Sequence, residues 1–457
     1  MNNPFGPQDW GLHAGSSGAL MMGPHDLTEL AREHLTPLHV VHADRLAETA
    51  RDFQEKSRAA YAGRVSVHYA MKCNSVPGIV RMIHDAGLNV EVTTDYELRL
   101  ARHVGFRPDQ IIVNGPGKTR AFLGRCLDQG VRLIVADALE ELTLLDELAR
   151  LRGVRTDVLL RVNPDIVPRG MNRGTATASR RGSAFGLDLK GGEVARALEM
   201  LAVSSHLAFR GYHMHIGTGI RTPDAYASAL ACLPELRRLC RRAGVVASVL
   251  DVGGGIGCRT TRGMKTWEMV AYEGLGVLPR LTRRGEMPEI EGFFEAVGRS
   301  VEGAFKGDDL PEIIFEPGRS IAGSNQLLLL TVTGIKHRPG IGTWITADGG
   351  LSTVCMPTYY ECHAVLLCND IRRPATQTAT INGPACFAGD IVYRNISMPE
   401  VSVGETLAVM DSGAYFIALE SSFGFPRPAI VAVEGAGVRM LRTRETFEDM
   451  IARDAID

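Results

Sequence analysis

The stretch Val65-Ser-Val-His-Tyr-Ala-Met-Lys72-Cys-Asn-Ser75 decides how the rest of the chain is organised. Its β-branched and apolar residues predict a strand, and Lys72 stands where that strand ends. Only seven lysines occur in the chain, against 43 arginines. Burial disfavours the charged form of an amine, so we expect a lowered pKa for Lys72 and a neutral amine that can attack a carbonyl. A lysine that reaches solvent from the strand end is the alternative.

The composition indicates a two-domain protein without a nucleic-acid or membrane partner. A chain of 457 residues with 45% apolar content is too long for one ordinary domain. Its net charge of -2 gives no reason to expect nucleic acid or an acidic membrane. The nine cysteines are scattered, with no CxxC pair and no His/Cys cluster at metal-ligand spacing. We therefore predict a soluble, cytoplasmic protein with no bound metal.

Short β-branched runs alternate with helical patterns from residue 65 to about residue 320. The runs begin near Val65, Leu88, Ile111, Val131, Asp157, Phe209, Val246 and Glu312. Eight such alternations in about 250 residues predict a closed (β/α)8 barrel with its site where the strands end. A doubly wound open sheet is the alternative, because the same alternation builds both folds.

The pattern changes after Ala322 to strands that turn signals separate, such as Asp348-Gly-Gly350. This change predicts a mostly antiparallel β domain. We divide the chain into residues 1–35, a tail and helix that pack on the β domain, residues 36–322, the barrel, and residues 323–457, the β domain. Residues 1 to about 24 are rich in Gly, Pro, Ser and Asn, so we expect them to be loosely held.

A glycine-rich turn, Asp251-Val-Gly-Gly-Gly-Ile-Gly257, follows the strand that begins near Val246. Three consecutive glycines leave backbone N–H groups uncovered, which close approach to a phosphate requires. The turn lacks the spacing of a dinucleotide fold and of a nucleotide-triphosphate loop. A turn without any ligand is the alternative.

Two further strand ends carry polar side chains. His213 and His215 lie two residues apart at the end of one strand, and we expect no shared zinc ion there. We expect one of them to face the barrel mouth. Phe315-Glu-Pro-Gly-Arg319 ends the last barrel strand with a carboxylate and a guanidinium, which could also form a structural salt bridge with each other.

Two further motifs lie in the predicted β domain: Gly383-Pro-Ala-Cys386-Phe-Ala-Gly-Asp390 and Ser412-Gly-Ala-Tyr415. Together with the motifs above, they make the chain similar to a known family. The chain resembles, from Thr36 onward, the pyridoxal-phosphate-dependent decarboxylases of the alanine-racemase fold type, which include diaminopimelate and ornithine decarboxylases. The resemblance implies the cofactor pyridoxal 5'-phosphate, with Lys72 as its Schiff-base lysine and Cys386 as the proton donor. The other cofactor-binding residues that it implies are His215, Thr218, Gly253, Gly254, Gly255, Glu316, Arg319 and Tyr415. The substrate-binding residues that it implies are Arg319, Tyr360, Glu361, Phe387 and Asp390.

The chain departs from the diaminopimelate enzymes at two positions. Those enzymes hold the distal end of their substrate with an arginine and a glutamate, where this chain has Met356 and Phe387. An apolar side chain cannot pair with a charged group. We therefore expect a basic amino acid or a biosynthetic intermediate as substrate, with Glu361 receiving a distal amine, and not meso-diaminopimelate.

Three other functions are open on this reading. Diaminopimelate decarboxylation proper is one, and an amino-acid racemase on the same fold is another. A glutamate at the ring nitrogen makes the ring a strong electron sink, so Glu316 favours decarboxylation over racemisation. A non-catalytic carrier of the cofactor is the third, but such carriers resemble the barrel alone. The resemblance also implies a homodimer in which Cys386 reaches the partner's cofactor.

Overall fold

Eight strands between residues 65 and 315 close into a parallel barrel in the computed structural model, which describes residues 4–167, 178–278, 287–354 and 361–455. Each strand pairs in parallel with its neighbours, and the first pairs with the last. The ring is therefore closed, as in a (β/α)8 barrel, and not an open sheet. Its strands are Val65–Ala70, Asn89–Val92, Ile111–Val113, Leu133–Ala136, Thr156–Asn163, Leu207–His213, Val249–Asp251 and Glu312–Phe315.

Helices connect the barrel strands and cover the outside of the ring. Their ends follow ordinary capping rules: the Thr94 side chain accepts a hydrogen bond from the Glu97 N–H, and Gly105 ends that helix in the left-handed conformation. The helices are Ala43–Ala59, Pro77–Asp85, Asp95–Val104, Arg120–Gln129, Leu139–Arg152, Glu193–Val203, Asp224–Leu230, Leu233–Ala243, Thr266–Leu275, Ile290–Ala304 and Arg319–Ala322. Two very short strands, Leu187–Asp188 and Arg262–Gly263, lie outside the ring.

The strand Leu38–His42 belongs to the second domain, so the predicted start of the barrel at residue 36 is wrong. This strand pairs antiparallel with Gln326–Arg338 and parallel with Ala429–Glu434. Leu38 and Val40 are buried in the apolar core of that domain. A short apolar run carries no signal for which sheet it joins, and here the two partner strands lie about 290 and about 390 residues away.

The predicted loose tail is also wrong for the residues that the structure describes. A three-stranded antiparallel sheet forms from Leu12–Ala14, Leu20–Met22 and His25–Asp26. The helix Leu27–His34 follows, and Asp26 caps its first turn. Five apolar side chains of the segment pack into the core of the β domain, and burial outweighs the local turn composition. These side chains are Phe5, Trp10, Leu12, Leu20 and Met22.

The second domain is a mostly antiparallel sheet built on the long strand Gln326–Arg338, which pairs with strands on both sides. The further strands are Gly342–Ala347, Glu361–Cys362, Val365–Leu367, Gln377–Asn382, Ile391–Met398, Thr406–Val409, Ala429–Glu434 and Gly437–Arg442, and a short helix, Phe447–Ile451, follows. Glu361–Cys362 pairs antiparallel with Arg262–Gly263 from the barrel region. This pairing carries Glu361 toward the barrel mouth.

Among the described residues, no helix combines the length and apolar character that a membrane span requires.

Candidate active site

Lys72 lies in a short 3-10 turn, Met71–Cys73, directly after the first barrel strand. Its Nζ atom is 2.5 Å from Oε2 of Glu91, which lies in the neighbouring strand Asn89–Val92. Burial lowers the pKa of Lys72, but the carboxylates of Glu91 and Glu316 outweigh burial and raise that pKa above its usual range. The predicted lowered pKa is therefore wrong. The two carboxylates come from other strands, so the sequence around Lys72 carries no sign of them.

Glu91 is fully buried at the barrel mouth. Burial raises the pKa of Glu91 to about 8, with Lys72 opposing the shift and Glu316 adding to it. Its second oxygen, Oε1, is buried and has no hydrogen-bond partner among the described residues. Glu91 therefore lies beside the ammonium group of Lys72 with one carboxyl oxygen left without a partner in the described part of the chain.

Glu316 follows the last barrel strand, and its carboxylate meets donors from two other strands. Its Oε2 lies 3.4 Å from Nε2 of His213, and its Oε1 accepts from the Asn114 amide at 3.3 Å. Burial raises the pKa of Glu316, but His213 and Lys72 outweigh burial and hold that pKa below its usual range. Glu316 is therefore a buried anion, and its partner is not Arg319, as the structural alternative required.

The glycine turn after the strand Val249–Asp251 packs against Glu316 and against the His215 loop. Gly253 and Gly255 have φ of 65° and 100°, which a side chain would strain. A Cβ on Gly254 would overlap the carbonyl oxygen of Glu316, and one on Gly255 would overlap that of Gly217, the neighbour of Thr218. The turn therefore leaves a cradle of bare backbone beside Glu316.

His215 is oriented by this turn, because the Gly254 N–H lies 3.3 Å from its Nδ1 atom and donates to it. Burial, with the cations Arg161 and Lys72, lowers the pKa of His215 to about 3. The ring is thus a neutral imidazole of a half-buried residue. His213, two residues earlier, is fully buried and faces Glu316. The two histidines have different surroundings because the strand ends at His213 and His215 lies in the loop beyond it.

Arg319 and Glu361 form a two-bond ion pair at the junction of the two domains. The guanidinium nitrogens lie 2.7 Å and 2.6 Å from the two carboxylate oxygens. Burial raises the pKa of Glu361, but Arg319 and His363 outweigh burial and lower it to about 2. The Arg319 Cζ atom also lies 5.2 Å from the ring centroid of Tyr415. The pair presents a cation and an anion side by side.

Tyr415 adopts a positive φ of 68°, and its N–H donates to the carbonyl oxygen of Cys73 at 2.9 Å. This contact holds the β-domain turn that contains Tyr415 next to the Lys72 turn. The structure thus brings together most of the predicted cofactor residues from distant parts of the chain. Those on the barrel are Lys72, His215, Thr218, Gly253, Gly254, Gly255, Glu316 and Arg319.

The loop that contains Cys386 does not join this group within one chain. Cys386 is exposed, and among the described residues it forms no hydrogen bond with the Lys72 region. Phe387 is 51% exposed and lies near the ring of Phe423. Asp390 is buried, and its two oxygens accept the N–H groups of Leu351 and Ala385, which folds the loop. Tyr360 and Met356 lie outside the described residues.

Sequence reasoning missed Asn114 and Asp251 as members of the site. Both follow the apolar residues of a barrel strand directly, and that position was the available signal. We define the mouth cluster as five side chains at the carboxyl end of the barrel strands. They are Lys72, Glu91, His213, Asp251 and Glu316.

The mouth cluster leaves several buried polar atoms without a hydrogen-bond partner among the described residues. These atoms are Glu91 Oε1, His213 Nδ1 and Asp251 Oδ2, and Arg319 Nε nearby has none either. Buried polar groups are normally paired, so such atoms indicate a missing ligand. A reactive amine, an anion able to accept from a ring N–H, a neutral imidazole and a bare backbone cradle together fit pyridoxal phosphate.

Comparisons with known proteins agree with this fit. Residues 45–323 match the family model described as pyridoxal-dependent decarboxylase, pyridoxal binding domain. The diaminopimelate decarboxylase of Bacillus subtilis is 31% identical over 440 residues, which cover 96% of this chain and 95% of that protein. The diaminopimelate decarboxylase of Archaeoglobus fulgidus is 30% identical and is matched over 96% of this chain and 98% of its own length.

Solved structures share the whole fold. The diaminopimelate decarboxylase from M. jannaschii superposes with a TM-score of 0.85 at 24% identity, covering 98% of each chain. The protein AQ1208 from Aquifex aeolicus superposes with a TM-score of 0.80 at 26% identity, covering 98% of this chain and 99% of its own. Both domains of this chain are therefore included in the likeness.

Proposed function

Since this chain belongs to the pyridoxal-dependent decarboxylases, we propose that it removes one carboxylate from diaminopimelate and releases lysine. Its membership makes it a pyridoxal-phosphate-dependent carboxy-lyase that acts on a small amino acid. The observation that carries the choice of substrate is the similarity to curated diaminopimelate decarboxylases at 31% and 30% identity over 96% of the chain.

The expectation that diaminopimelate is not the substrate is therefore wrong. It depended on two positions, Met356 and Phe387, where apolar side chains stand in place of charged ones. The similarity of nearly the whole chain to diaminopimelate decarboxylases outweighs those two departures. The same relatives argue against a racemase and against a carrier, because they are decarboxylases and match across both domains.

The residues that surround the proposed cofactor position have complementary tasks in this reaction. Pyridoxal phosphate supplies an aldehyde that bonds to the α-amine and a ring that accepts the electrons released with CO2. Lys72 would hold the cofactor through its amine, and Glu91, 2.5 Å away, positions that amine. Glu316 would accept a hydrogen bond from the ring nitrogen, and His215 would stack its neutral imidazole on the ring. The glycine turn and Thr218 would hold the phosphate.

The distal end of diaminopimelate carries an ammonium group and a carboxylate. We assign its recognition to the pair of Arg319 and Glu361, whose charges are opposite and whose atoms lie 2.6 Å to 2.7 Å apart. The distal carboxylate would exchange with Glu361 on the guanidinium, while the distal ammonium pairs with the freed Glu361. Tyr360, Phe387 and Asp390 remain predicted substrate contacts.

The test compares kcat/KM for meso-diaminopimelate, ornithine, lysine and arginine. We expect a preference for diaminopimelate of at least about a hundredfold, because two charge-assisted contacts distinguish it from the others. Glu361→Gln should lower that preference, whereas Glu147→Gln, on an exposed helix of the barrel, should leave it unchanged. Efficient decarboxylation of another amino acid, without decarboxylation of diaminopimelate, would reject diaminopimelate as the substrate.

A homodimer with shared active sites is the proposed assembly, and a cytoplasmic location remains a prediction. The exposed position of Cys386, which is predicted to return the proton to the α-carbon, supports a site completed by a second copy. Mixing Lys72→Ala chains with Cys386→Ala chains should restore about a quarter of wild-type activity, since random pairing leaves one intact site in half the dimers. Absence of recovery after subunit exchange would reject the shared site.

A further inference from the structure

Asp251 is a buried carboxyl group to which the proposed reaction assigns no task. It ends the strand Val249–Asp251 and stands in register with His213 on one side and with Ile314 on the other, two residues before Glu316. Three adjacent strands therefore bring three side chains to one level. Polar atoms of His213, Asp251 and Glu316 all lie within 4.8 Å of one another, and all three residues are buried.

The two oxygens of Asp251 have different surroundings. Oδ1 accepts from the N–H of Gly253 at 2.8 Å, and this bond closes the glycine turn. Oδ2 is buried, and no described residue donates a hydrogen bond to it. An ionised carboxylate with one bare buried oxygen is costly, whereas a protonated one can donate a hydrogen bond of its own.

The charges around Asp251 decide which carboxyl group carries the proton. Glu316 is the one that faces the ring of His213 and the cation Lys72, which hold its pKa low. Burial and the anionic Glu316 raise the pKa of Asp251 well above its usual range, and Glu91 adds to the effect. Two carboxyl groups that share a buried site do not both ionise.

We propose that Asp251 is a neutral carboxylic acid whose Oδ2–H group donates to Glu316 and fixes Glu316 as the anion that faces the cofactor's ring nitrogen. Asp251 is a positioning residue, because it acts through Glu316 and not on the substrate. The inference rests on the proposed function in one respect: the cofactor's ring nitrogen is taken as the group that Glu316 faces. It holds for any amino-acid substrate.

The first test compares Asp251→Asn with Asp251→Ala in the holoenzyme. An asparagine keeps an oxygen that accepts from Gly253 and gains an N–H that donates to Glu316, so it imitates a protonated aspartate. We expect Asp251→Asn to keep kcat and cofactor affinity within about threefold, and Asp251→Ala to lose about tenfold to a hundredfold in kcat. An Asn variant that misfolds, or that loses as much as the Ala variant, would overturn the proposal.

The second test detects the proton without any turnover. A protonated buried carboxyl group has its own infrared carbonyl band, which an ionised group lacks. The full-length protein at neutral pH, with and without cofactor, should show a band that shifts when aspartate side chains carry ¹³C. The band should disappear in Asp251→Asn and persist in Glu91→Gln.

If this band is the same in the wild type and in Asp251→Asn, the proposal is overturned. The two proposals fail separately. If the band is present but diaminopimelate is not decarboxylated, the proposed function fails and the role of Asp251 stands.

Discussion

The two ends of the barrel both bury charged side chains, but only one end pairs them completely. At the amino-terminal end of the strands, four side chains form a floor cluster. Arg132 makes two bonds to Glu312, at 2.7 Å and 2.6 Å, Ser66 donates to Glu312 at 2.6 Å, and Arg132 reaches His68 at 3.1 Å. No buried polar side-chain atom of these four residues lacks a partner in the part of the chain that the structure describes.

The mouth cluster at the other end is different, because Glu91, His213 and Asp251 each keep an unpaired buried atom among the described residues. A paired buried network stabilises one structure, and an incompletely paired one is stabilised further by a ligand. The contrast teaches that the number of buried charges does not identify a site. The two ends of the barrel differ in that unpaired buried polar atoms cluster at the mouth, and variants at the two ends should separate activity from stability.

The largest expected effect is on activity at the mouth. Lys72→Ala removes the amine that holds the cofactor, so kcat should fall by at least about a thousandfold. The free energy of unfolding of the cofactor-free chain should change little, since Glu91, with a pKa of about 8, takes up a proton when its partner is lost. Steady-state kinetics and urea denaturation measure the two quantities. Strong destabilisation with full activity would reverse the assignment of the two ends.

The floor should show the opposite behaviour. Arg132→Ala removes the cation 2.6 Å from the buried carboxylate of Glu312 and leaves it, among the described residues, only Ser66 and the more distant, exposed Arg64, which should cost about 3 to 5 kcal/mol in the free energy of unfolding. The folded fraction should keep a normal kcat. The matched control is the double variant Arg132→Met with Glu312→Met, which removes both charges and should recover most of the loss. A fall in kcat without loss of stability would place the floor in the catalytic machinery.

The acid sensitivity of folding provides a smaller effect at the floor. Burial and Arg132 lower the pKa of His68 from 6.5 to about 3. The unfolded chain therefore binds one more proton than the folded chain between these values, so the stability is complete above pH 6.5 and is lost as pH falls toward 3. His68→Gln should reduce the slope of unfolding free energy against pH by about 1.4 kcal/mol per unit.

His39 in the β domain is the comparison for that slope. Burial there also lowers the pKa of His39 to about 3, so His39→Gln should change the slope by the same amount. An unchanged slope in both variants would contradict burial of neutral histidines at these positions.

The smallest effect is expected at an exposed ion pair on the barrel helices. Arg120 and Glu147 approach to 2.7 Å with side chains 55% and 43% exposed. Water and salt screen such pairs, so Arg120→Ala should change the free energy of unfolding by less than about 1 kcal/mol. A loss as large as that of Arg132→Ala would show that distance alone, and not burial, sets the strength of these pairs.

The sequence predicted the barrel because strand and helix periods are local properties. The strand starts at Val65, Ile111 and Glu312 agree with the structure, and Lys72 and Glu316 follow strands as expected. The segment from Tyr226 to Arg242 has one helical pattern in the sequence but forms two helices, Asp224–Leu230 and Leu233–Ala243. Pro234 lies in the first turn of the second helix, because it cannot continue a preceding one.

Pairings between distant residues could not be read from the sequence. Leu38–His42 joins the β domain by pairing with Gln326–Arg338, about 290 residues away. Glu361 is brought to Arg319 because the strand Glu361–Cys362 pairs with Arg262–Gly263. The raised pKa of Lys72 likewise depends on Glu91, which is delivered by the register of another strand. Local patterns fix which side chains end a strand, and sheet register fixes which of them meet.

Borohydride reduction of the cofactor-loaded protein, followed by peptide mass spectrometry, tests the account most directly. Reduction makes the bond between the cofactor and its lysine permanent, so the labelled peptide identifies that lysine. The account predicts the pyridoxyl mass on the peptide that contains Lys72 and its loss in Lys72→Ala. A label on another lysine, such as the buried Lys118, or a label that persists in Lys72→Ala, would contradict it.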